Sequence, residues 1–202
     1  MGQYYKPIIL RPKQDGKQDE VEFWWYSHDF KYKLSSGVEV GSGLKLMEHS
    51  WINNKFVGEV ECFLINRPER LVWAGDYADE EPDGETLYSK CDDKHKLSPT
   101  NGLDLSVLKN IFVVNHDKKE FYKRPSKLYH YETDENGRRR REYDWVVNPL
   151  PILTCEGNGR GGGDYHGEGE LVGSWARDHI EYSQEKPGED YIEIYPGFKE
   201  DW

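Results

Sequence analysis

The stretch Asn110-Ile-Phe-Val-Val-Asn-His-Asp-Lys-Lys-Glu-Phe-Tyr-Lys123 decides the fold class. Two short runs rich in β-branched and aromatic residues, 110–115 and 120–123, flank the polar His116-Asp-Lys-Lys119, and that pattern reads as a β-hairpin. Downstream, 128–133 and 139–147 form a second candidate hairpin. It is closed by Asp134-Glu-Asn-Gly137, whose Asn-Gly pair supplies the positive φ of a tight turn. Further strands are expected at Leu171–Trp175, His179–Tyr182 and Tyr191–Tyr195.

Upstream, Gln3–Leu10 reads as a strand, with Pro7 pointing to an edge or a bulge because it cannot donate to a ladder. Residues 13–20 read as a loop. Phe23–Tyr26, Phe30–Leu34, Val38–Val40 and Arg70–Gly75 add extended segments. The best helix spans about 54–66, where Phe56, Val60, Phe63 and Leu64 share one face, Asn53 or Asn54 can cap the start and Pro68 stops it. Residues 103–110 suit a short helix. Together these predict an α+β fold, mainly antiparallel β with one clear helix and several hairpins. A single domain over 1–202 is expected, with an acidic C-terminal tail from about 183.

Composition narrows the partners. Aromatic residues make up 14% and mean hydropathy is −0.93, so large rings must carry much of the core. The net charge of −11 repels nucleic-acid phosphates and anionic lipid, which argues against non-specific nucleic-acid binding; it serves solubility first and could also attract a basic protein partner. Three widely spaced cysteines, Cys62, Cys91 and Cys155, without a signal-peptide pattern, fit reduced thiols in the cytoplasm. No apolar run is long enough to predict a membrane span.

Two segments offer chemistry. Trp73-Ala-Gly-Asp-Tyr-Ala-Asp79 puts Asp76 and Asp79 at a strand end, where carboxylates cap turns, hold a metal or act as acid and base. Gly157-Asn-Gly-Arg-Gly-Gly-Gly-Asp-Tyr-His166 could turn backbone N–H groups towards a ligand, or could be a tight structural loop. It lacks the phosphate-loop Lys, and no helix is expected after it, so dinucleotide binding of the Rossmann type is rejected. Arg138 to Arg141 form a basic hairpin tip, either solvated or holding a phosphate. Trp175-Ala-Arg-Asp178 echoes Trp73-Ala-Gly-Asp76 without extending into a repeat. Cys91-Asp-Asp-Lys-His95 has too few ligands for a structural zinc.

Several strings stand together: Met1-Gly-Gln-Tyr-Tyr-Lys6, Gly43-Leu-Lys-Leu-Met-Glu-His-Ser-Trp51, Val72–Asp79, Asn115–Glu120, Pro149–Leu153 running into Gly157–Tyr165, and Val172–Asp178. The set resembles a family of uncharacterised bacterial and phage proteins that begin Met-Gly-Gln-Tyr-Tyr, over residues 1 to about 180. The resemblance implies kinship and a bacterial or viral origin. It transfers no activity and no catalytic residue.

The expected site is a pocket built from these strings that binds a small polar or nucleotide-like ligand. Asp76, Asp79, Asp164 and Asp178 would converge with Arg160 and His49, and Trp73 or Trp175 would form a wall. A divalent metal could offset the carboxylates if the ligand carries phosphate. The alternative is an acidic phage-type protein that inhibits a host defence protein by direct binding. Either way the expected location is bacterial cytoplasm, or host cytoplasm for a phage-encoded chain.

Overall fold

Nearly continuous burial along Tyr5–Leu10 and Leu71–Gly75 marks a sheet with two covered faces. The computed structural model describes residues 3–13, 18–33, 37, 39–125, 129–133, 139–143, 146–157 and 169–198. In chain order the strands are β1 Tyr5–Pro12, β2 Asp19–Trp25, β3 Lys31–Lys33 and β4 Glu39–Gly41. Helices α1 Leu46–His49 and α2 Lys55–Phe63 follow, then β5 Glu69–Gly75, β6 Lys96–Leu97, β7 Phe112–Asn115 and β8 Glu120–Lys123. The rest comprises β9 Tyr129–Thr133, β10 Arg139–Tyr143, α3 Pro149–Leu153, β11 Cys155–Glu156, β12 His179–Ser183 and β13 Ile192–Glu193.

The main sheet has nine strands in the order β13-β8-β7-β12-β5-β1-β2-β6, with β11 pairing β5. The pairs β1–β2, β1–β5, β5–β12, β7–β12 and β7–β8 are antiparallel; two-residue parallel pairings attach β6, β11 and β13. β9–β10 and β3–β4 are separate hairpins. The protein is therefore α+β and mostly antiparallel. Among the described residues no helix is long and apolar enough to cross a membrane.

On β1 and β5, Tyr5, Ile9, Leu71 and Trp73 face one core cluster, while Ile8, Leu10, Val72 and Ala74 face the other. This is the period of two that a sheet buried on both faces requires. The first face is covered by α2 and α3. Asn54 caps α2 by accepting from the N–H groups of Phe56 and Val57, and Phe56, Val57, Val60 and Leu64 are fully buried. Each such side chain contributes roughly 1.5–3 kcal/mol of burial. The helix ends at Phe63, short of 66, and Asn66 then takes φ 52, which reverses the chain into β5.

Three local expectations are corrected. Pro7 is not on an edge strand, because β1 is paired on both sides. It sits opposite Trp73, whose N–H turns away to Thr154, and it precedes the first β1–β2 pair, Ile8↔Trp24, so neither ladder asks it for a donor. The register shift of that ladder lies at Ile9–Leu10 instead. The second correction concerns residues 171–175, which form turns and not a strand. Gly173 adopts φ 69 and its N–H donates to Ile152, which breaks any extended run there. Third, β2 reaches back to Asp19, inside the expected loop. The turn at 134–138 lies outside the described residues.

Candidate functional site

The outer edge of β5 is shared between two strands. Its start, Glu69–Arg70, pairs with β12, and its end, Trp73–Ala74, pairs with β11. At the changeover the N–H of Arg177 donates to Leu71 O, and Leu71 N donates to Asp178 O. Arg177 takes φ 67 there, an unusual value for a residue with a side chain.

A cleft of about 340 Å³ opens beside this changeover, lined by Asp79, Cys155–Gly157, Val172–Gly173 and Arg177. It collects the end of the Trp73–Asp79 segment, the start of the glycine-rich segment and the Val172–Asp178 segment. Gly173 is required, since a Cβ there would stand 2.7 Å from Cys155 O. Two other clefts, of about 620 and 400 Å³, border β2 and the start of α2. Neither joins these segments.

Arg177 organises the cleft. Its Nε donates to Glu156 Oε1 at 2.6 Å, and Nη2 donates to Glu156 Oε2 at 2.8 Å and to Glu81 Oε1 at 2.6 Å. Nη1 stands 3.7 Å from Asp19 Oδ2. Hydrogen bonding to Glu156 raises the guanidinium pKa against the opposing pull of burial, so the charge is permanent. Its carbonyl accepts from Arg70 Nε at 3.0 Å, and Arg70 Nη2 donates to Asp19 Oδ2 at 3.0 Å. Asp79, exposed on the rim, has no hydrogen-bond or ion-pair partner among the described residues.

The other expected site residues disperse. Asp76 Oδ1 accepts from Tyr4 N at 3.0 Å, and Asp178 Oδ2 accepts from Asn115 Nδ2 at 2.8 Å. His49, Trp73 and Trp175 are all fully buried in the core and form no wall of the cleft. Trp73 Nε1 donates to His49 Nε2, and Trp175 Nε1 donates to Glu120 Oε2 at 2.7 Å. Arg160 and Asp164 lie outside the described residues, as does the arginine-bearing turn at Arg138. Of the expected residues that are described, Asp79 alone borders the cleft.

Among the described residues, no group of three or more His, Cys, Asp or Glu is placed to hold a metal ion. Two of the thiols are not primed for nucleophilic work either. Burial pushes Cys62 up to about 11 and Cys91 up to about 12.

Sequence reasoning missed Arg177, Glu156 and Glu81. One signal was present: Arg177 is the only Lys or Arg between residues 161 and 185, and a lone cation in an acidic stretch needs a reason. A second buried unit also escaped notice. Glu61, fully buried on α2, accepts from Arg124 Nε at 2.7 Å and Nη2 at 2.8 Å, from Asn148 Nδ2 at 2.9 Å and from Tyr182 Oη at 2.9 Å. All of these donors are buried, so this unit ties α2 and β12 to the residue after β8 and to the cap of α3, and offers solvent almost nothing.

Compared with known protein families, curated proteins and solved structures, the chain shows no significant match. Its class therefore rests on the fold and cleft themselves: an α+β protein in which one side of the interior strand β5 changes partner beside a charged cleft.

Proposed function

We propose that this chain binds a small polar ligand in the Arg177 cleft, and that the ligand is cationic. The observation that carries this reading is the state of Arg177: its guanidinium is already answered by Glu156 and Glu81, while Asp79 on the rim has no partner among the described residues. A phosphate would have to compete with two carboxylates for that one cation, which disfavours the nucleotide-like variant. An amine would find Asp79 and the outer lone pairs of Glu156. The volume falls at the lower end of ligand pockets, roughly 300–1,000 Å³. The test is native against denatured mass spectrometry of the purified chain, followed by calorimetric titration of small amines. A co-purifying adduct lost on denaturation, or amine binding weakened about ten-fold by Asp79→Asn, supports it; an empty chain that binds no amine overturns it.

A second reading, a protein that docks on a basic host partner from a phage or bacterial genome, is favoured by one observation. Ile192, on the outermost strand β13, and Tyr195, two residues past its end, are exposed, in a stretch of chain that also carries Glu189 and Glu193. Reversing Glu189 should then cut partner capture sharply, since Glu189 makes no ion pair within the described fold and the reversal leaves β13 intact. Unchanged capture would dispose of this reading.

A further inference from the structure

Three side chains from distant parts of the chain meet away from the Arg177 cleft. His116, just after β7, has its Nε2 at 2.7 Å from Glu181 Oε2 on β12 and its Nδ1 at 3.0 Å from the Oη of Tyr191, just ahead of β13. The His116 and Tyr191 rings stand edge to face, with centroids 6.0 Å apart and planes at 88°. The two partners lie 65 and 75 residues further along the chain, so no local turn explains the meeting. The backbone fixes each position. His116 N donates to His179 O, Tyr191 N donates to Gly188 O, and Glu181 stands opposite Val114 in the β7–β12 ladder.

Hydrogen-bond chemistry places the protons. Glu181, as a carboxylate, only accepts, so His116 Nε2 carries a hydrogen. In the neutral ring Nδ1 is then bare and accepts the Tyr191 O–H. A hydroxyl resting on a base whose far nitrogen is held by a carboxylate is the arrangement that activates a nucleophile. Stability does not account for it. The His116 and Glu181 side chains are 33% and 20% exposed, and partly exposed pairs of this kind contribute little. Tyr191 is also only half-buried, so the three residues remain open to a substrate.

We propose that Tyr191 is a catalytic nucleophile that takes an acyl group from an aryl ester or thioester, with His116 as its base and Glu181 as the residue that positions that base. In the first step the O–H proton passes to His116 Nδ1 and the phenolic oxygen bonds to the carbonyl carbon. The bond from that carbon to the leaving phenoxide or thiolate breaks, and the leaving group takes the proton from Nδ1. Water, deprotonated by the same Nδ1, then attacks the tyrosyl ester, releasing the acid and restoring Tyr191. The donor has to be activated because the tyrosyl ester is itself an activated ester. Charge selects acyl over phosphoryl donors. Lys119 is held by Asp190 at 2.8 Å, while Glu181 and Asp117 add negative charge that repels a phosphoryl group. The inference is independent of the Arg177 cleft, and either can fail without the other.

The test is reaction of the full chain with p-nitrophenyl acetate at pH 8, quenched in acid, with the acetyl groups located by peptide mass spectrometry. Tyr195, 80% exposed, is the internal control. Tyr191 should be acetylated at least about a hundred-fold faster than Tyr195, the low end of what a positioned base supplies. That comparison is made within the wild type, so it stands even where a variant fails to fold. Tyr191→Phe should abolish the rapid release of p-nitrophenolate. His116→Ala should bring Tyr191 down to the rate of Tyr195, and added imidazole should restore acetylation at Tyr191, which a merely structural histidine would not allow. Adding Glu181→Gln to that variant should weaken the rescue by about ten-fold or more. A rescue indifferent to Glu181 overturns its positioning role. Equal acetylation of Tyr191 and Tyr195 in the wild type, a rapid release that survives Tyr191→Phe, or a Tyr191 rate unchanged by His116→Ala overturns the proposal.

Discussion

The indole N–H of Trp73 donates to Nε2 of His49 across 2.9 Å in the core beneath the sheet. Trp can only donate, so Nε2 must be the bare nitrogen, and Nδ1 carries the proton that it gives to Gly43 O at 3.0 Å. His49 is therefore neutral. Burial lowers its pKa from 6.5 to about 4, against a smaller upward pull from the Gly43 bond.

Between pH 6.5 and about 4 the unfolded chain binds a proton at His49 that the folded chain refuses. The stability this residue contributes is thus complete above pH 6.5 and is lost as the solution is acidified through that window, by about 3 kcal/mol in all. Urea unfolding as a function of pH should show the slope. His49→Gln should lower stability at pH 7 and flatten the slope between pH 6 and 4; an unchanged slope would mean that His49 is not the titrating group.

The Glu61–Arg124 pair should behave as a unit. Glu61→Ala strands a guanidinium that is 4% exposed, at a cost of about 3–5 kcal/mol. The double change Glu61→Leu with Arg124→Met removes both charges and should cost less than Glu61→Ala alone. A double-mutant cycle in denaturant measures this, and simple additivity would show that the two residues do not act together.

Gly173 and Gly84 both have positive φ, 69 and 83, but only Gly173 has a carbonyl in the way of a Cβ. Gly84→Ala should therefore cost about 1 kcal/mol, the price of the backbone conformation. Gly173→Ala should cost at least about twice that and should also weaken any ligand binding in the adjoining cleft. Equal thermal shifts for the two variants would contradict the clash with Cys155 O.

Cys62 and Cys91, held as thiols by burial, should react with a thiol-specific disulfide reagent at pH 8 far more slowly than a free cysteine. Full reactivity should appear in denaturant. Fast labelling of the folded chain would show that their shells open readily.

The parts of the fold that local chemistry dictates were legible. The helix was found because Phe56, Val60 and Leu64 keep the helical period and Asn54 is a cap. The hairpin at 112–123 was found because two extended runs enclose a polar turn. Helix α3 was hidden by its two prolines, although Pro149 at the first position and Pro151 within the first turn give up only N–H groups that no helix start uses. Strands β6 and β11 have two residues each and exist because of the strand beside them, so no pattern announces them; β13 falls within the expected strand at 191–195 but keeps only Ile192–Glu193. At the site, Asp79 was legible from its place after β5. The partners of Arg177 lie 21 and 96 residues away, and its left-handed backbone is imposed by the sheet edge, not by its own preference.

The shared edge of β5 also bears on how the chain emerges from the ribosome. β1, β2 and β5 can pair as soon as residue 75 is made, but the strands that close the far side of β5 come from residues 155–156 and 179–180. At roughly 5–20 residues per second, that edge stays open for on the order of ten seconds. Through that interval the nascent three-stranded sheet offers an unpaired, largely apolar strand, Leu71-Val-Trp-Ala74, to any neighbouring chain. Synthesis in a crowded cell should for that reason depend on holdase chaperones more than the stability of the finished protein would suggest.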